Sequence, residues 1–254
     1  ITTVTATDGI KVLSRSRLAA SVWEQTIRDQ GGYSTWWRLS EPNDTTIAVD
    51  QAGTYHGTYV GSPQRQSASL PVHEPDYACS FDGIDDYVSL PLGAAIGGTA
   101  YSIEMWLKVP SFDAPSDDTK WAWLQAAPGA AGGIGVGVRP ANASSNIGRI
   151  RAAVNTTVLT GTTNILDTER VHVVLTRNGT AVKLYVNGAE EASDTLANSS
   201  AGISGDGVSI GGKNSPDLFL GVVDEVLTWG SVLTAPQVAL HYEAGSTPLD
   251  GDLT

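Results

Sequence analysis

Cysteine is almost absent from this sequence, histidine is scarce, and long apolar runs are missing. The single cysteine among the 254 residues, Cys79, excludes an internal disulfide, so burial of apolar surface must stabilise the fold. We expect Cys79 to be a small core residue, because it has no partner at the spacing of a zinc site. No apolar run approaches the roughly 20 residues of a membrane-spanning helix, which argues against membrane insertion.

Recognisable catalytic spacing is missing as well. The sequence has no His-Glu-x-x-His and no phosphate-binding loop. It also lacks the Glu-x-Asp-x-x-Glu strand on which retaining glucanases carry their carboxylates. Asp224 and Glu225 are adjacent, so we expect their side chains on opposite faces of a strand. The sequence therefore predicts a protein that is not an enzyme. A glycan hydrolase stays open only if carboxylates from distant segments line a cleft.

Positive charge is in short supply, and the formal net charge is −12. Such a field repels nucleic acid and anionic lipid, so neither is an expected partner. It suits neutral glycans, basic partners or a bound cation, and solubility alone explains it equally well. The chain begins at Ile1 without a charged-then-apolar leader, so we expect a fragment or a processed product.

Turn residues and short alternating runs are abundant. The 28 glycines and 12 prolines suit tight turns rather than long helices. Residues 171–193 hold Asn-Gly pairs at 178–179 and 187–188, a strong hairpin signal, and predict a three-stranded antiparallel meander. Further strands are predicted at 36–39, 55–60, 78–81, 87–90, 101–109, 121–124, 133–138, 147–154, 208–211 and 219–229.

Two helices are predicted, one at each end. Residues 1–32 form an N-terminal arm or linker with one short amphipathic helix within 15–29, whose apolar residues include Trp23 and Ile27. Near the C-terminus, Thr234 is expected to cap a helix that Gly245 ends. These boundaries leave 33–245 as the β domain and 246–254 as a polar tail.

Five segments in order resemble laminin G-like, concanavalin A-like jelly-roll domains. They are Phe81-Asp82-Gly83 through Asp86-Tyr87-Val88, Ile103-Glu104-Met105-Trp106, Leu184-Tyr185-Val186-Asn187-Gly188, Ile210-Gly211-Gly212, and Gly221 through Asp224-Glu225-Val226. The Trp-His-His that precedes the meander in the family is reduced here to His172. The resemblance implies an all-β, two-sheet antiparallel jelly-roll sandwich with a short N-terminal helical arm and a short C-terminal helix.

The front of the chain resembles another group of proteins. Residues 5–13, the helix with Trp23, and 36–41 are similar to the lead-in of such domains in minor tail proteins of phages that infect actinobacteria. This resemblance implies a location in the virion, or otherwise outside the cell, with other tail proteins as partners.

Calcium is the cofactor that the family resemblance implies. Asp82 and Asp224 fall at positions where many members bind calcium, with Asp85, Asp86 and Glu225 as less favoured partners. The alternative stays open that Asp82 only closes an Asx turn and that Asp224 accepts backbone hydrogen bonds at a strand end.

Aromatic side chains are the candidates for sugar stacking. They are Trp106, Trp121, Trp123 and Tyr185. Trp106 and Tyr185 alternate away from the apolar face of their strands, which predicts an accessible sheet surface, and the two other tryptophans follow the acidic loop 113–118. The alternative is that each of these rings fills the core. Trp23, Trp36 and Trp37 are expected to pack the arm onto the sandwich.

The leading functional hypothesis is a non-catalytic carbohydrate-binding or cell-surface-binding module of a phage tail protein, stabilised by calcium, that recognises a host cell-envelope glycan. The alternative is a structural spacer or decoration domain that contacts only other virion proteins. Buried aromatic candidates and the absence of a polar groove would favour the spacer.

Overall fold

A computed structural model describes residues 21–113, 119–126, 133–197, 207–213 and 218–247. Three predicted features lie outside these residues. They are segment 5–13, which resembles phage tail proteins, the acidic loop after 113, and the polar tail after 247. The elements are α1 (Val22–Gln30), β1 (Tyr33–Trp37), β2 (Ile47–Ala48), β3 (Gly57–Val60), β4 (Gln64–Ala68), β5 (Tyr77–Asp82), β6 (Tyr87–Leu90), a 3-10 turn (Leu92–Ala94), β7 (Ala100–Lys108), β8 (Lys120–Gln125), β9 (Ile134–Val138), β10 (Arg149–Val154), β11 (Thr157–Asn164), β12 (Val171–Asn178), β13 (Ala181–Val186), β14 (Ala189–Thr195), β15 (Val208–Ile210), β16 (Leu220–Trp229) and α2 (Ala235–Ser246).

The strands form two antiparallel sheets, which confirms the jelly-roll sandwich. The first sheet has the order β14-β13-β12-β7-β16-β5-β4, and β1 also pairs with β16. The second has the order β11-β10-β9-β8-β15-β6-β3-β2. Their inner faces enclose the main core, in which Trp37 and Trp123 lie with ring centroids 6.2 Å apart. Cys79 is fully buried in this core, as expected.

The predicted meander is confirmed with one change at its first turn. Strands β12, β13 and β14 pair in sequence. Asn187 and Gly188 both have positive φ, as a type I′ turn requires. In the first turn, however, Asn178 pairs with Ala181, so Gly179 and Thr180 are the central residues. Gly179 at φ +63° takes the left-handed position, which moves the turn one residue beyond the predicted one.

Both helices lie on the outer face of the first sheet, where they cover a second apolar cluster that includes Trp23, Trp36 and Trp106. Helix α1 begins at Val22, where the Ser21 side chain accepts a hydrogen bond from the Glu24 N–H as its N-cap. Residues 15–20 of the predicted helical segment lie outside the described residues. None of the helices in the described ranges is long and apolar enough to cross a membrane.

Helix α2 has the predicted N-terminal capping box of Thr234 and Gln237, but it does not end at Gly245. The helix continues through Gly245 to Ser246. A Cβ atom at this glycine would lie 2.3 Å from Cζ2 of Trp106 and 2.9 Å from Cδ1 of Trp23. The glycine is therefore required by close packing against two indoles and not by a helix stop.

The two rims of the sandwich differ. At one rim the edge strands β11 and β14 are joined by Glu191, whose carboxylate accepts hydrogen bonds from the Thr162 N–H (2.7 Å) and the Thr163 N–H (3.2 Å). This side chain satisfies donors that an edge strand would otherwise expose. At the opposite rim the edge strands are β2 and β4, and within the described residues no side-chain hydrogen bond joins these two strands. Their adjoining loops form a cavity instead.

Candidate functional site

A polar cavity of about 310 Å³ lies beside β2 and β4, between the loop before β2 and the turn from β3 to β4. Its rim carries an amide, a carboxylate and hydroxyls. The polar side chains that line it are Asn43, Asp44, Thr45, Thr46, Ser62, Gln64 and Arg65. Groups of this kind hydrogen-bond to sugar hydroxyls, and the volume is at the lower end of the range for small-molecule sites.

The wall of this cavity is held rigidly from behind. Arg65 lies with its guanidinium 4.4 Å from the ring centroid of Tyr59, and its Nε donates to the Pro42 carbonyl (3.1 Å). The Arg65 N–H donates to Oδ1 of Asn43 (2.8 Å), which leaves the N–H donors of that amide available to a ligand. The Tyr59 hydroxyl donates to Glu41 (2.6 Å), and burial together with this carboxylate holds the pKa of Tyr59 well above its usual range. The cavity is therefore preorganised.

The four aromatic candidates from the sequence do not form a sugar-binding surface. Trp106 and Trp123 are fully buried, and Trp121 and Tyr185 are 6% and 3% exposed. Trp106 and Tyr185 do point away from the main core, as their alternation predicts. The prediction that this face of the sheet is accessible to a sugar is wrong, because α1 and α2 cover it. Trp123 lies in the main core, whereas Trp121 forms a small cluster with Leu124 and Ala153 in the second sheet.

The expected packing of the three remaining tryptophans is correct for two of them. Trp23 and Trp36 lie edge to face at 6.0 Å beneath the helices, and they attach the arm to the sandwich. Trp37 points instead into the main core.

Asp82 and Asp224 do not share a site. Asp82 pairs with Leu220, four residues before Asp224 on β16, which separates the two positions by roughly 13 Å along the strand. Asp224 is fully buried and accepts hydrogen bonds from the Leu70 N–H (2.8 Å) and the Ser69 hydroxyl (2.9 Å). This is the backbone-bonding alternative, and the pair does not fit a common calcium ion.

Asp82 is instead grouped with Asp85 and Asp86, the less favoured candidates for calcium ligands. One oxygen each from Asp82, Asp85 and Asp86 lies within 4.8 Å of the others. Asp82 also closes an Asx turn, because its Oδ1 accepts from the Ile84 N–H (2.8 Å). Asp86 accepts from the Ser62 N–H (2.7 Å) at the edge of the polar cavity. Carboxylate oxygens at this spacing are ligands that calcium accepts.

A second group of carboxylates surrounds Arg38, directly after β1. The guanidinium lies 3.1 Å from Glu24 of α1, 2.9 Å from Asp76 and 3.1 Å from Glu225 of β16, and it also contacts Glu74. Asp224 adjoins this group, because its charge interactions include Asp76 and Glu74. Sequence analysis missed this cluster, since its members are separated by up to 201 positions, from Glu24 to Glu225. We name it the Arg38 cluster.

A β-bulge brings Asp224 and Glu225 to the same side of the first sheet. The register of β16 against β7 shifts between Asp224 and Leu227, and Glu225 has φ +51°. Glu225 then accepts a hydrogen bond from Nε1 of Trp36, in the cluster beneath the helices. The expectation that the two carboxylates lie on opposite faces is therefore wrong, because it assumed a regular strand.

Burial dominates the electrostatics of the Arg38 cluster. Burial, partly offset by the Ser21 hydroxyl and Arg38, raises the pKa of Glu74 to about 7. Burial likewise raises the pKa of Glu225 well above its usual range, against the effect of Arg38. Burial also disfavours the charge on Arg38, but the surrounding carboxylates, led by Glu225, outweigh it and raise the pKa of the guanidinium. Burial in the cluster therefore favours the protonated forms of Glu74 and Glu225.

Glu104 is the centre of another buried network, which sequence analysis also missed. It contacts Nε2 of His172 (2.8 Å), Nδ1 of His241 (2.9 Å) and Nε1 of Trp229 (3.1 Å). All are at most 1% exposed, and His241 extends the network to Gln30 of α1 (3.0 Å). Burial raises the pKa of Glu104, but the charges and hydrogen bonds of the two histidines outweigh it and lower the pKa to about 2. The network joins both helices to the first sheet.

A smaller cavity of about 210 Å³ lies at the end of the sandwich near the 3-10 turn. Tyr55, Tyr101 and Trp229 line it together with small residues and the hydroxyls of Thr35 and Thr228, and none of its lining residues is acidic. Asp44 is the one carboxylate that lines the larger cavity. Within the described residues, neither of these two cavities has the carboxylate pair that glycoside hydrolysis requires.

Comparison with known proteins agrees with the fold. Residues 82–239 match the profile of a laminin G-like family described as the concanavalin A-like lectin/glucanases superfamily. No curated protein matches the chain.

Several solved structures are similar. A Trypanosoma rangeli sialidase in complex with sialic acid has a TM-score of 0.60 and 16% identity, over 85% of this chain and 34% of the sialidase. The botulinum neurotoxin serotype D binding domain has a TM-score of 0.55 and 15% identity, over 84% and 51% of the two chains. Domain 4 of AbnA, a GH43 extracellular arabinanase from Geobacillus stearothermophilus, in complex with arabinotriose, has a TM-score of 0.50 and 17% identity, over 88% and 96%.

At these identities the structural likeness concerns the fold, and this chain spans about a third of the sialidase. The family match is broader evidence, because it covers more than half of the sequence and includes the meander and β16. The chain therefore belongs to the concanavalin A-like lectin/glucanase superfamily, in its laminin G-like branch.

Proposed function

We propose that this protein is a non-catalytic carbohydrate-binding module, and that its glycan site is the polar cavity beside β2 and β4. The observation that carries the proposal is the preorganised wall of Asn43, Tyr59 and Arg65 behind an exposed set of hydroxyl, amide and carboxylate groups. The arabinanase domain solved with arabinotriose supports a glycan ligand for a domain of this shape.

We propose further that the module belongs to a phage tail protein and recognises a glycan of the host cell envelope. The similarity of 36–41 and of the helix with Trp23 to the lead-in of actinobacterial phage tail proteins supports this assignment. It makes other tail proteins its neighbours in the virion. The net charge of −12 suits a neutral rather than an anionic glycan, because an anionic polymer would be repelled.

The proposal predicts that the purified protein is retained on actinobacterial cell-wall polysaccharide and that the cavity mediates this retention. The double substitution Asp44→Ala and Gln64→Ala removes two side chains that line the cavity without touching its supporting wall. We expect affinity to fall about 10- to 100-fold, as for the loss of one or two ligand hydrogen bonds. Calorimetric titration with solubilised polysaccharide measures the change.

The matched control is Asp194→Ala, an exposed carboxylate on β14 at the opposite rim, which should leave the affinity unchanged. Retention that is equal in all three proteins would place the glycan site elsewhere. No retention of the native protein on any fraction would favour the alternative function, a spacer that contacts only other virion proteins. The buried aromatic rings favour that spacer, whereas the polar cavity favours binding.

We propose that calcium binds to this protein through Asp82, Asp85 and Asp86, and that Asp224 is not one of its ligands. Chelation should lower the melting temperature of the native protein. The expected change is about 5 to 10 °C relative to calcium at a hundredfold excess over its Kd. The double variant Asp82→Asn and Asp85→Asn should melt at one temperature with calcium or chelator. If the melting temperature of the native protein is the same with calcium and with chelator, the calcium proposal is wrong and Asp82 only closes its Asx turn.

A further inference from the structure

We infer that the Arg38 cluster is a proton-dependent latch, which holds helix α1 on the sandwich at mildly acidic pH and loosens it as the pH rises. The latch is formed where three parts of the chain meet. Helix α1 contributes Glu24 and its N-cap Ser21, the segment before β5 contributes Glu74, and β16 contributes Glu225. Arg38 contacts all three parts.

The latch depends on two links from the start of α1. The Ser21 hydroxyl donates to Glu74, and Glu24 of α1 contacts Arg38 at 3.1 Å. The Ser21 and Glu74 side chains are both buried, so the start of the helix cannot separate without exposing the Glu74 carboxyl group. Detachment of the helix therefore changes the environment of one particular acid.

The charges in the cluster are unbalanced. Five carboxyl groups belong to it or adjoin it, namely Glu24, Glu74, Asp76, Asp224 and Glu225, whereas the guanidinium groups are those of Arg38 and Arg28. Arg28 pairs with Glu24 from the helix side and is partly exposed. With all acids ionised, the described groups would carry a net charge of −3, since five negative and two positive charges do not cancel. Such repulsion in a buried site is costly, so docking favours protonated carboxyl groups.

The direction of the pH effect follows from linkage. Burial raises the pKa of Glu74 to about 7, whereas an exposed glutamate has its ordinary value of 4.5. Between these values the docked state binds more protons at Glu74 than the open state, so this contribution to docking is complete below about 4.5 and is lost as the pH rises through 7. Burial, and to a smaller degree the charge of Glu24 on α1, raise the pKa of Asp76, which adds to this effect. Glu24 acts in the opposite direction at lower pH, because burial raises its pKa but Arg28 and Arg38 outweigh burial and lower it, so its pairing with Arg38 weakens as the pH falls below about 4.5. The latch is therefore strongest at mildly acidic pH.

Opening of the helix competes with apolar burial and is expected as a minor population. Trp23 and Ile27 of α1 are fully buried in the cluster beneath the helices. The glycines that follow the helix, Gly31 and Gly32, have φ of +57° and +83° and form the hinge between α1 and β1. A local opening about this hinge leaves the paired strands intact, so it can be distinguished from global unfolding.

Amide hydrogen exchange tests the latch at pH 5.5, 7.0 and 8.5, with chelator present throughout and rates corrected for intrinsic exchange. In the native protein we expect the opening equilibrium of residues 22–30 to rise at least about tenfold from pH 5.5 to 8.5. Peptides from β12 and β13 should show no such rise. Exchange in residues 22–30 and in β12 and β13 is measured in the same sample, so β12 and β13 serve as the internal reference for each protein.

The isosteric variant Glu74→Gln should abolish the rise, because it keeps an acceptor for Ser21 but cannot ionise. The matched control is Asp29→Asn, which alters an exposed carboxylate of the same helix and should retain the full rise. Opening of α1 that does not depend on pH in the native protein would overturn the inference. So would an undiminished rise in Glu74→Gln, or an equal rise in β12 and β13.

Discussion

Glu104→Ala is expected to lower the free energy of unfolding by about 3–5 kcal/mol, because it leaves buried polar groups without their partner. The substitution leaves the facing nitrogens of His172, His241 and Trp229 buried without their shared acceptor. It also removes the side chain that joins α2 to the first sheet. Chemical denaturation at neutral pH measures the change.

The same network predicts how the protein responds to acid. The pKa of Glu104 in the folded protein is about 2, below its ordinary value of 4.5. Its contribution to stability is therefore present above 4.5 and is lost as the pH falls from about 4.5 to 2. In Glu104→Ala, the loss of stability over this interval should be smaller than in the native protein.

Two further variants test whether the loss of stability is specific to the hydrogen bonds of Glu104. Glu104→Gln keeps the shape and one acceptor oxygen, so it should lose less stability than the alanine variant. Glu243→Ala changes an exposed glutamate on the same helix as His241 and should melt close to the native protein. A Glu104→Ala protein that also melts close to the native protein would refute the structural role of the network.

Trp106→Ala is expected to destabilise the protein by about 3–5 kcal/mol and to leave glycan affinity unchanged in the fraction that folds. The indole is fully buried, 4.8 Å from the His172 ring and 6.2 Å from that of Tyr242 between ring centroids. It also occupies the space beside Gly245. Its removal opens a cavity beneath α2, which the rigid sheet cannot close.

The experiment distinguishes a core residue from a sugar-stacking residue. Calorimetric titration of Trp106→Ala with the retained polysaccharide, at a temperature where the variant is folded, measures affinity apart from stability. The conservative variant Trp106→Phe should recover part of the lost stability. If Trp106→Ala kept the stability of the native protein but lost affinity for the glycan, Trp106 would be a binding residue. That result would contradict its burial.

Local patterns in the sequence were sufficient for the strands and the class of fold. Strand β6 (Tyr87–Leu90) coincides with its prediction, and β7 (Ala100–Lys108) differs by one residue at each end, because alternation and flanking turns act over a few positions. Strands β4 (Gln64–Ala68) and β11 (Thr157–Asn164) were missed. Both lie at or beside a sheet edge and are polar, so they lack the apolar alternation on which such predictions depend.

The candidate sites required the tertiary structure. Alternation placed Trp106 and Tyr185 on the correct face of their strands, but only the packing of two helices decides that this face is buried. The bulge at Glu225 likewise results from pairing with β7 and β1, which no local pattern encodes.

By itself, the sequence determined most of the strand-forming segments, the second turn of the meander, the N-terminal capping box of α2, the acidic net charge and the family resemblance. Each of these depends on neighbours within a few residues or on composition. The tertiary structure alone decided which polar groups meet. Arg38 gathers carboxylates from three distant segments, and Glu104 binds side chains from β12, β16 and α2. The reason is physical, since buried charges are tolerated only where the fold brings their partners within hydrogen-bonding distance.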